Sequence, residues 1–159
     1  MTALFGKSNN LMRMRTWYGM TAVIEIRNRS LHRAGFGRVL IPHPPAVNWL
    51  LRFGLSDDPY YKLSTIHEFG HFQTLPAIAV YSFAALGWVL ATHRASLIGI
   101  IALLIGIHAT WEMLAELVVR FHTGPLYTRT YTGISVIPRI IFWSAAAAIS
   151  IGGWAILLH

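Results

Sequence analysis

The chain divides into a mixed, largely polar first third and three long apolar stretches. The first stretch covers about residues 59–91, of which residues 72–91 alone are long enough to cross the hydrocarbon core of a bilayer. The second covers about residues 95–121, and the third about residues 140–158. Each reaches the length of about 20 residues that a membrane helix needs. The pattern predicts an all-α integral membrane protein with about three transmembrane helices.

Local signals refine this prediction. Asp57-Asp58-Pro59 is a favourable helix start, because an acidic N-cap is followed by a proline in the first turn. Pro76 falls inside the first stretch, where it is expected to kink the helix or free a backbone carbonyl. In the third stretch, a face for close helix packing is predicted by small residues at every fourth position: Ser144, Ala148 and Gly152.

Charge is concentrated ahead of the apolar stretches. The net charge is +7, and residues 1–62 hold nine Lys or Arg against three acids. A basic segment beside membrane spans is typical of the cytoplasmic side. We therefore expect an integral protein of the plasma (inner) membrane with a cytoplasmic N-terminus, and the lipid bilayer rather than nucleic acid as partner. Residues 1–58 would form a basic juxtamembrane segment and residues 59–159 the transmembrane domain.

The basic segment has its own weak pattern. Residues 21–27 and 37–41 are strand-like and could pair as a short β-hairpin. Residues 46–53 are expected to form a short interfacial helix. An amphipathic helix lying on the membrane would explain the arginines equally well.

The chemistry of the chain centres on the stretch His67-Glu68-Phe69-Gly70-His71. It matches the pattern H-E-x-x-H, in which the two histidines share one helix face and can bind one zinc ion. Glu68 is rotated by about 100° from the first histidine, near enough to act as a general base without being a ligand. The chain has no cysteine, so thiolate zinc sites and cysteine nucleophiles are excluded.

The second apolar stretch supplies further candidate ligands. His108, Glu112 and Glu116 follow one another at i, i+4 spacing on one stripe of the helix. An antiparallel hairpin brings this stripe beside the two histidines, and counting residues from the link places Glu116 level with His71. Two histidines and a carboxylate, with a fourth position open to water, are a catalytic zinc set. His108 is an alternative ligand or a supporting residue.

Residues 67–72, H-E-F-G-H-F, resemble the zinc motif of the site-2 protease type of intramembrane metalloprotease. That family takes its third ligand from a later Asp-Gly motif, whereas the only aspartates here are Asp57 and Asp58. Glu112-x-x-x-Glu116 is instead similar to the glutamate-zincin arrangement. This second resemblance implies that Glu112 is the third zinc ligand and that Glu116 accepts a hydrogen bond from His67.

These patterns together predict a membrane-embedded zinc metallopeptidase that cleaves a membrane-associated peptide or protein near the cytoplasmic face. Glu68 would carry the proton from the attacking water to the leaving amine. Four side chains are candidates for stabilising the oxyanion: Tyr81, His108, His122 and Tyr127.

Two alternatives come from other classes of function. The histidines and glutamates could hold iron in a redox site, although di-iron carboxylate bundles use four carboxylates and two E-x-x-H motifs. The chain could also be a non-enzymatic membrane subunit of a larger complex, with a structural metal or none. The kind of metal distinguishes the three hypotheses, since zinc is colourless and iron absorbs visible light.

Overall fold

The computed structural model describes residues 11–27, 33–35, 37–42, 54–92 and 96–158. Within these ranges the chain forms four strands followed by four helices. The strands are β1 (Leu11–Arg15), β2 (Thr21–Arg27), β3 (Arg33–Gly35) and β4 (Arg38–Pro42). The helices are α1 (Asp57–Thr92), α2 (Leu97–His122), α3 (Pro125–Thr132) and α4 (Val136–Leu158). The interfacial helix predicted at residues 46–53 lies outside the described residues.

Helices α1, α2 and α4 are each long and apolar enough to cross a membrane. Large apolar side chains on all three are exposed, among them Phe83, Leu97 and Ile151. Such a surface suits lipid rather than water. The predicted architecture of three apolar helices behind a basic segment is therefore confirmed. Helix α4 begins one turn earlier than expected. Pro138 is compatible with this start, since it lies in the first turn, where its missing N–H costs nothing.

Pro76 lies inside α1 without ending the helix. Its missing N–H leaves the carbonyl of Phe72, one turn earlier, without its usual helical partner. The hydroxyl of Tyr18 donates to this carbonyl at 2.7 Å. The neighbouring Trp17 donates its indole N–H to the carbonyl of Gln73 at 2.9 Å. The freed carbonyl predicted from the proline is thus satisfied by the turn between β1 and β2.

The strands form one sheet with the order β1-β2-β4-β3. The two segments predicted to be strands, now β2 and β4, are neighbours, but they run parallel and do not form a hairpin with each other. Each instead pairs antiparallel with the strand just before it, β2 with β1 and β4 with β3. Gly19 and Gly37 provide the reason, because their positive φ angles of 92° and 74° allow a tight turn inside each hairpin.

One face of the sheet packs on α1. Its buried residues form a core with two phenylalanines of the helix: Met14, Ala22, Ile24, Val39 and Ile41 with Phe69 and Phe72. On a helix, these phenylalanines lie roughly opposite His67 and His71. The sheet therefore covers the back of the helix that carries the H-E-x-x-H pattern, and α2 lies at the other side.

Helices α2 and α4 pack through glycine. A Cβ added at Gly153 would lie 2.5 Å from the carbonyl oxygen of Ala102, so only glycine allows this approach. The packing face predicted for α4 is wrong: Ser144 and Ala148 are exposed, and a Cβ at Gly152 would meet open space. The buried face is instead turned toward Gly153, where Ser150 also hydrogen-bonds Thr110 of α2. The rotation of α4 is set by its contact with α2, which the spacing of small residues within α4 does not predict.

Candidate metal centre

Helices α1 and α2 approach closely at Gly70, inside the H-E-x-x-H stretch. A Cβ at this position would lie 2.6 Å from both the carbonyl oxygen of Ala115 and the Cγ2 of Val119. These distances are far below ordinary van der Waals contact, so any larger residue would push the helices apart. The short approach allows glutamate side chains of α2 to reach the histidines of α1.

Donor atoms of three residues converge between the two helices. His67 Nε2 lies 3.0 Å from Glu112 Oε2 and 3.1 Å from His71 Nε2. The distance from His71 Nε2 to Glu112 Oε1 is 3.4 Å. Donor atoms arranged tetrahedrally around one zinc ion, at about 2.0–2.1 Å from it, lie about 3.3–3.4 Å from one another. The donor set formed by His67, His71 and Glu112 therefore has the size of a site for a single small ion.

His67 is held from its other side by Glu116. Its Nδ1 lies 2.6 Å from Glu116 Oε1. A carboxylate at this nitrogen favours the tautomer with hydrogen on Nδ1, which leaves the lone pair on Nε2, the atom facing the donor set. Metal-binding histidines in proteins are oriented in this way.

Tyr127 in turn holds Glu116. Its hydroxyl donates to the second carboxylate oxygen, Oε2, and both residues are buried. Burial and the nearby carboxylate raise the pKa of Tyr127 well above its ordinary value, so the phenol keeps the proton that it donates. Helix α3 brings this tyrosine to the site because it packs in a core shared with Leu63 of α1 and Val119 of α2.

His71 is fixed mainly by Trp111 of α2. The two rings meet edge to face with their centroids 4.9 Å apart. The Trp111 indole N–H donates to the backbone carbonyl of His71 at 3.2 Å and to Thr74 Oγ1 at 3.0 Å. Among the described residues, the buried His71 Nδ1 has no hydrogen-bond partner. The tryptophan thus restrains the ring by packing, whereas a hydrogen bond restrains His67.

Two further residues predicted for the site are Glu68 and His108. Glu68 is half-buried in α1, directly after the first histidine of the donor set. The side chain of His108 is 68% exposed, and its Nε2 lies 3.5 Å from Glu112 Oε1. Of the four side chains predicted as candidates to stabilise the oxyanion, His108 lies beside the donor set in the described structure.

The other three oxyanion candidates are engaged elsewhere. Tyr81 accepts a hydrogen bond from the Trp154 indole at 2.5 Å, about 15 Å along α1 from His71. His122 Nδ1 lies 2.8 Å from the carbonyl oxygen of Val118, so it can donate a hydrogen bond to this carbonyl near the C-terminal end of α2. Tyr127 faces Glu116, behind His67. Sequence position alone could not separate these roles, because each depends on a contact between helices or within a helix end.

Three residues contribute to the site in ways that the sequence pattern did not predict, although Tyr127 was a candidate for another role, at the oxyanion. Gly70 sets the helix distance, Trp111 packs on His71, and Tyr127 anchors Glu116. A small residue on a helix face indicates close packing, so the role of Gly70 in the helix approach was predictable from the sequence. No comparable signal marks the tryptophan or the tyrosine, since both residue types commonly fill cores and interfaces.

No protein-family model, curated protein or solved structure matches this chain, so the chemistry of its site must be inferred from its own side chains.

Proposed function

We propose that this chain is a membrane-embedded, zinc-dependent metallopeptidase that hydrolyses a peptide bond near the cytoplasmic face of the membrane. The observation that carries the proposal is the convergence of His67, His71 and Glu112. Each imidazole Nε2 lies within 3.4 Å of a Glu112 oxygen, and the two nitrogens are 3.1 Å apart. Two imidazoles and one carboxylate from two helices match the ligand types of hydrolytic zinc sites, which leave a fourth position open.

The support around this donor set favours a tuned site over an incidental cluster. Glu116 orients His67, and Tyr127 orients Glu116. Such chains of hydrogen bonds fix the ligand ring and increase its basicity. A buried carboxylate that served only packing would be costly in an apolar helix pair, so the presence of Glu116 at this position fits a functional role.

Zinc bound by His67, His71 and Glu112 would polarise the scissile carbonyl and lower the pKa of a water molecule toward 7. Glu68 is our candidate for the general base. It follows the first histidine directly and would accept a proton from the attacking water, then deliver it to the leaving amine nitrogen. His108, exposed beside Glu112, is the candidate to donate a hydrogen bond to the carbonyl oxygen.

The apolar helices suggest the kind of substrate. The donor set lies between α1 and α2, both of which are long and apolar enough to span a bilayer. A substrate that reaches it must therefore lie in or on the membrane, as a membrane-associated peptide or protein does. The basic residues of the N-terminal segment favour a cytoplasmic position for this end of the helices, by the positive-inside rule.

A second candidate is a redox or structural metal site in a membrane subunit. His108 favours it, because a third imidazole lies 3.5 Å from Glu112 and would complete a nitrogen-rich set suited to iron. In this alternative, the exposed side of the donor set would face a partner subunit rather than a peptide.

Metal analysis of the detergent-purified protein tests both candidates. The peptidase proposal expects one zinc per chain and no visible absorption. It also expects hydrolysis of a membrane-associated peptide in the same detergent, which stops with 1,10-phenanthroline and returns with added zinc. Glu68→Gln should keep the zinc and lose the hydrolysis. Bound iron with a visible spectrum would favour the redox candidate, and zinc with equal hydrolysis in Glu68→Gln would overturn the role of the base.

A further inference from the structure

Two arginines converge on one aromatic ring at the end of the helix bundle nearest Glu116. The guanidinium carbon of Arg120, in the last turn of α2, lies 5.1 Å from the centroid of the Tyr131 ring. That of Arg139, in the first turn of α4, lies 5.2 Å from the same centroid. The ring itself stacks on Tyr127 with the centroids 5.3 Å apart. Three helices thus bring two positive charges to one aromatic ring.

No carboxylate forms an ion pair with either arginine in the part of the chain that the structure describes. Residues 117–159 contain three arginines and no aspartate or glutamate. The Nε of Arg139 is buried, and no hydrogen-bond partner for it occurs in the described part of the chain.

The position of Arg139 in its helix makes its positive charge less favourable. It lies in the first turn of α4, where the helix dipole is positive and acidic residues are absent. A cation there is unfavourable, whereas an anion is attracted to the same place. Both guanidinium groups carry a positive charge beside the same ring, so they also repel each other to an extent set by their separation. An anion bound between or beside them would relieve both effects.

Exposed apolar residues are neighbours of both arginines in sequence. Phe121 follows Arg120, and Ile137 and Ile140 flank Arg139; all three are exposed. Charged residues at the end of an apolar helix, next to exposed aliphatic and aromatic groups, lie at the depth where lipid headgroups meet acyl chains.

We infer that Arg120 and Arg139 form a binding site for the phosphate group of an anionic phospholipid. Guanidinium groups bind phosphate oxygens through paired, charge-assisted hydrogen bonds. The acyl chains of the same lipid would lie along Phe121 and the isoleucines of α4. A free phosphate ion would satisfy the charges equally but would leave these apolar groups uncovered, so the lipid is the better match. The site does not depend on the proposed peptidase activity.

Lipid retention measured by native mass spectrometry tests this inference. The full chain would be reconstituted in nanodiscs of phosphatidylglycerol and phosphatidylcholine and then released in a mild detergent. We expect about one phosphatidylglycerol to stay bound to the parent protein. The double variant Arg120→Gln/Arg139→Gln should weaken this binding roughly tenfold or more, because hydrogen bonds to a charged group are lost at both positions.

Two further variants control for net charge and for folding. Arg129→Gln removes an exposed arginine of α3 and should retain the lipid. Arg120→Lys/Arg139→Lys keeps both charges but loses the forked geometry, and its binding should lie between those of the parent and the glutamine variant. If the glutamine variant does not fold, this lysine variant provides the test.

Three results would overturn the inference. Equal retention in the parent and in the folded double variants would remove the arginines from the site. An equal loss in Arg129→Gln would indicate a diffuse basic surface. Release of the lipid by inorganic phosphate at millimolar concentration would assign the site to a free anion rather than to a lipid.

Discussion

His67 and Glu116 face each other across the interface of α1 and α2, with Nδ1 of the imidazole 2.6 Å from Oε1 of the carboxylate. Counting residues from the link between the helices places Glu116 level with His71, but its contact is one turn away, with the outer histidine. Glu112, one turn deeper, then meets both histidines. Two glutamates one turn apart on the same helix therefore have different surroundings and should respond differently to mutation.

The first prediction separates these two glutamates. Glu112→Ala should abolish stoichiometric zinc binding because it removes a ligand. Glu116→Ala should weaken binding only about 10–100-fold, since it removes the support of a ligand. Zinc titration of the purified variants with a competing chelator measures both. The reverse ranking would make Glu116 the ligand, and unchanged affinity in both variants would exclude the zinc site.

The second prediction concerns the motif. His67→Ala and His71→Ala should each lose zinc, whereas His108→Ala should keep it, because the exposed His108 lies farther from the shared donor set. Metal content after size-exclusion chromatography provides the measurement. A histidine variant of the motif that holds zinc as tightly as the parent would place the site elsewhere.

The third prediction tests the close approach at Gly70. Gly70→Ala should lower the free energy of unfolding by about 1–3 kcal/mol, because the added methyl group would overlap Ala115 and Val119. It should also weaken zinc binding by separating Glu112 from the histidines. Gly87→Ala is the matched control: its Cβ would meet open space, and alanine should stabilise the helix by up to about 1 kcal/mol. Thermal unfolding in detergent compares the two; equal behaviour would contradict the packing argument.

The fourth prediction isolates the hydroxyl of Tyr127. Tyr127→Phe leaves a buried oxygen of Glu116 without its donor, at a cost of about 1–3 kcal/mol in stability, and should reduce zinc affinity less than Glu116→Ala does. Tyr81→Phe also removes a tyrosine hydroxyl, the one that accepts a hydrogen bond from the Trp154 indole far from the donor set. It should affect stability alone. Zinc affinity that falls equally in both variants would mean that Tyr127 has no specific part in the site.

The fifth prediction concerns orientation. The basic N-terminal segment predicts that Ser56 lies on the cytoplasmic side and Ser96, at the start of α2, on the opposite side. Both serines are exposed and the chain has no cysteine, so single cysteine variants can be labelled without background. In intact cells, an impermeant thiol reagent should label Ser96→Cys and spare Ser56→Cys. The opposite pattern would reverse the topology and move the donor set to the outer face.

The sequence alone determined the three long helices, the basic segment before them and the candidate ligands on the first two. These features are local: apolar length selects a membrane helix, and i, i+4 spacing puts His67 and His71 on one face. Pro76 likewise predicted a free carbonyl from its own covalent structure.

Only the tertiary structure decided how these parts meet. The register that puts Glu116 against His67, the approach of α2 to Gly70 and the arrival of Tyr127 from α3 all join residues far apart in the chain. The parallel pairing of β2 with β4 and the rotation of α4 toward Gly153 are further cases. Each is selected by the packing of whole elements against one another, because spacing within a helix or strand defines which residues share a face but not which neighbour that face contacts.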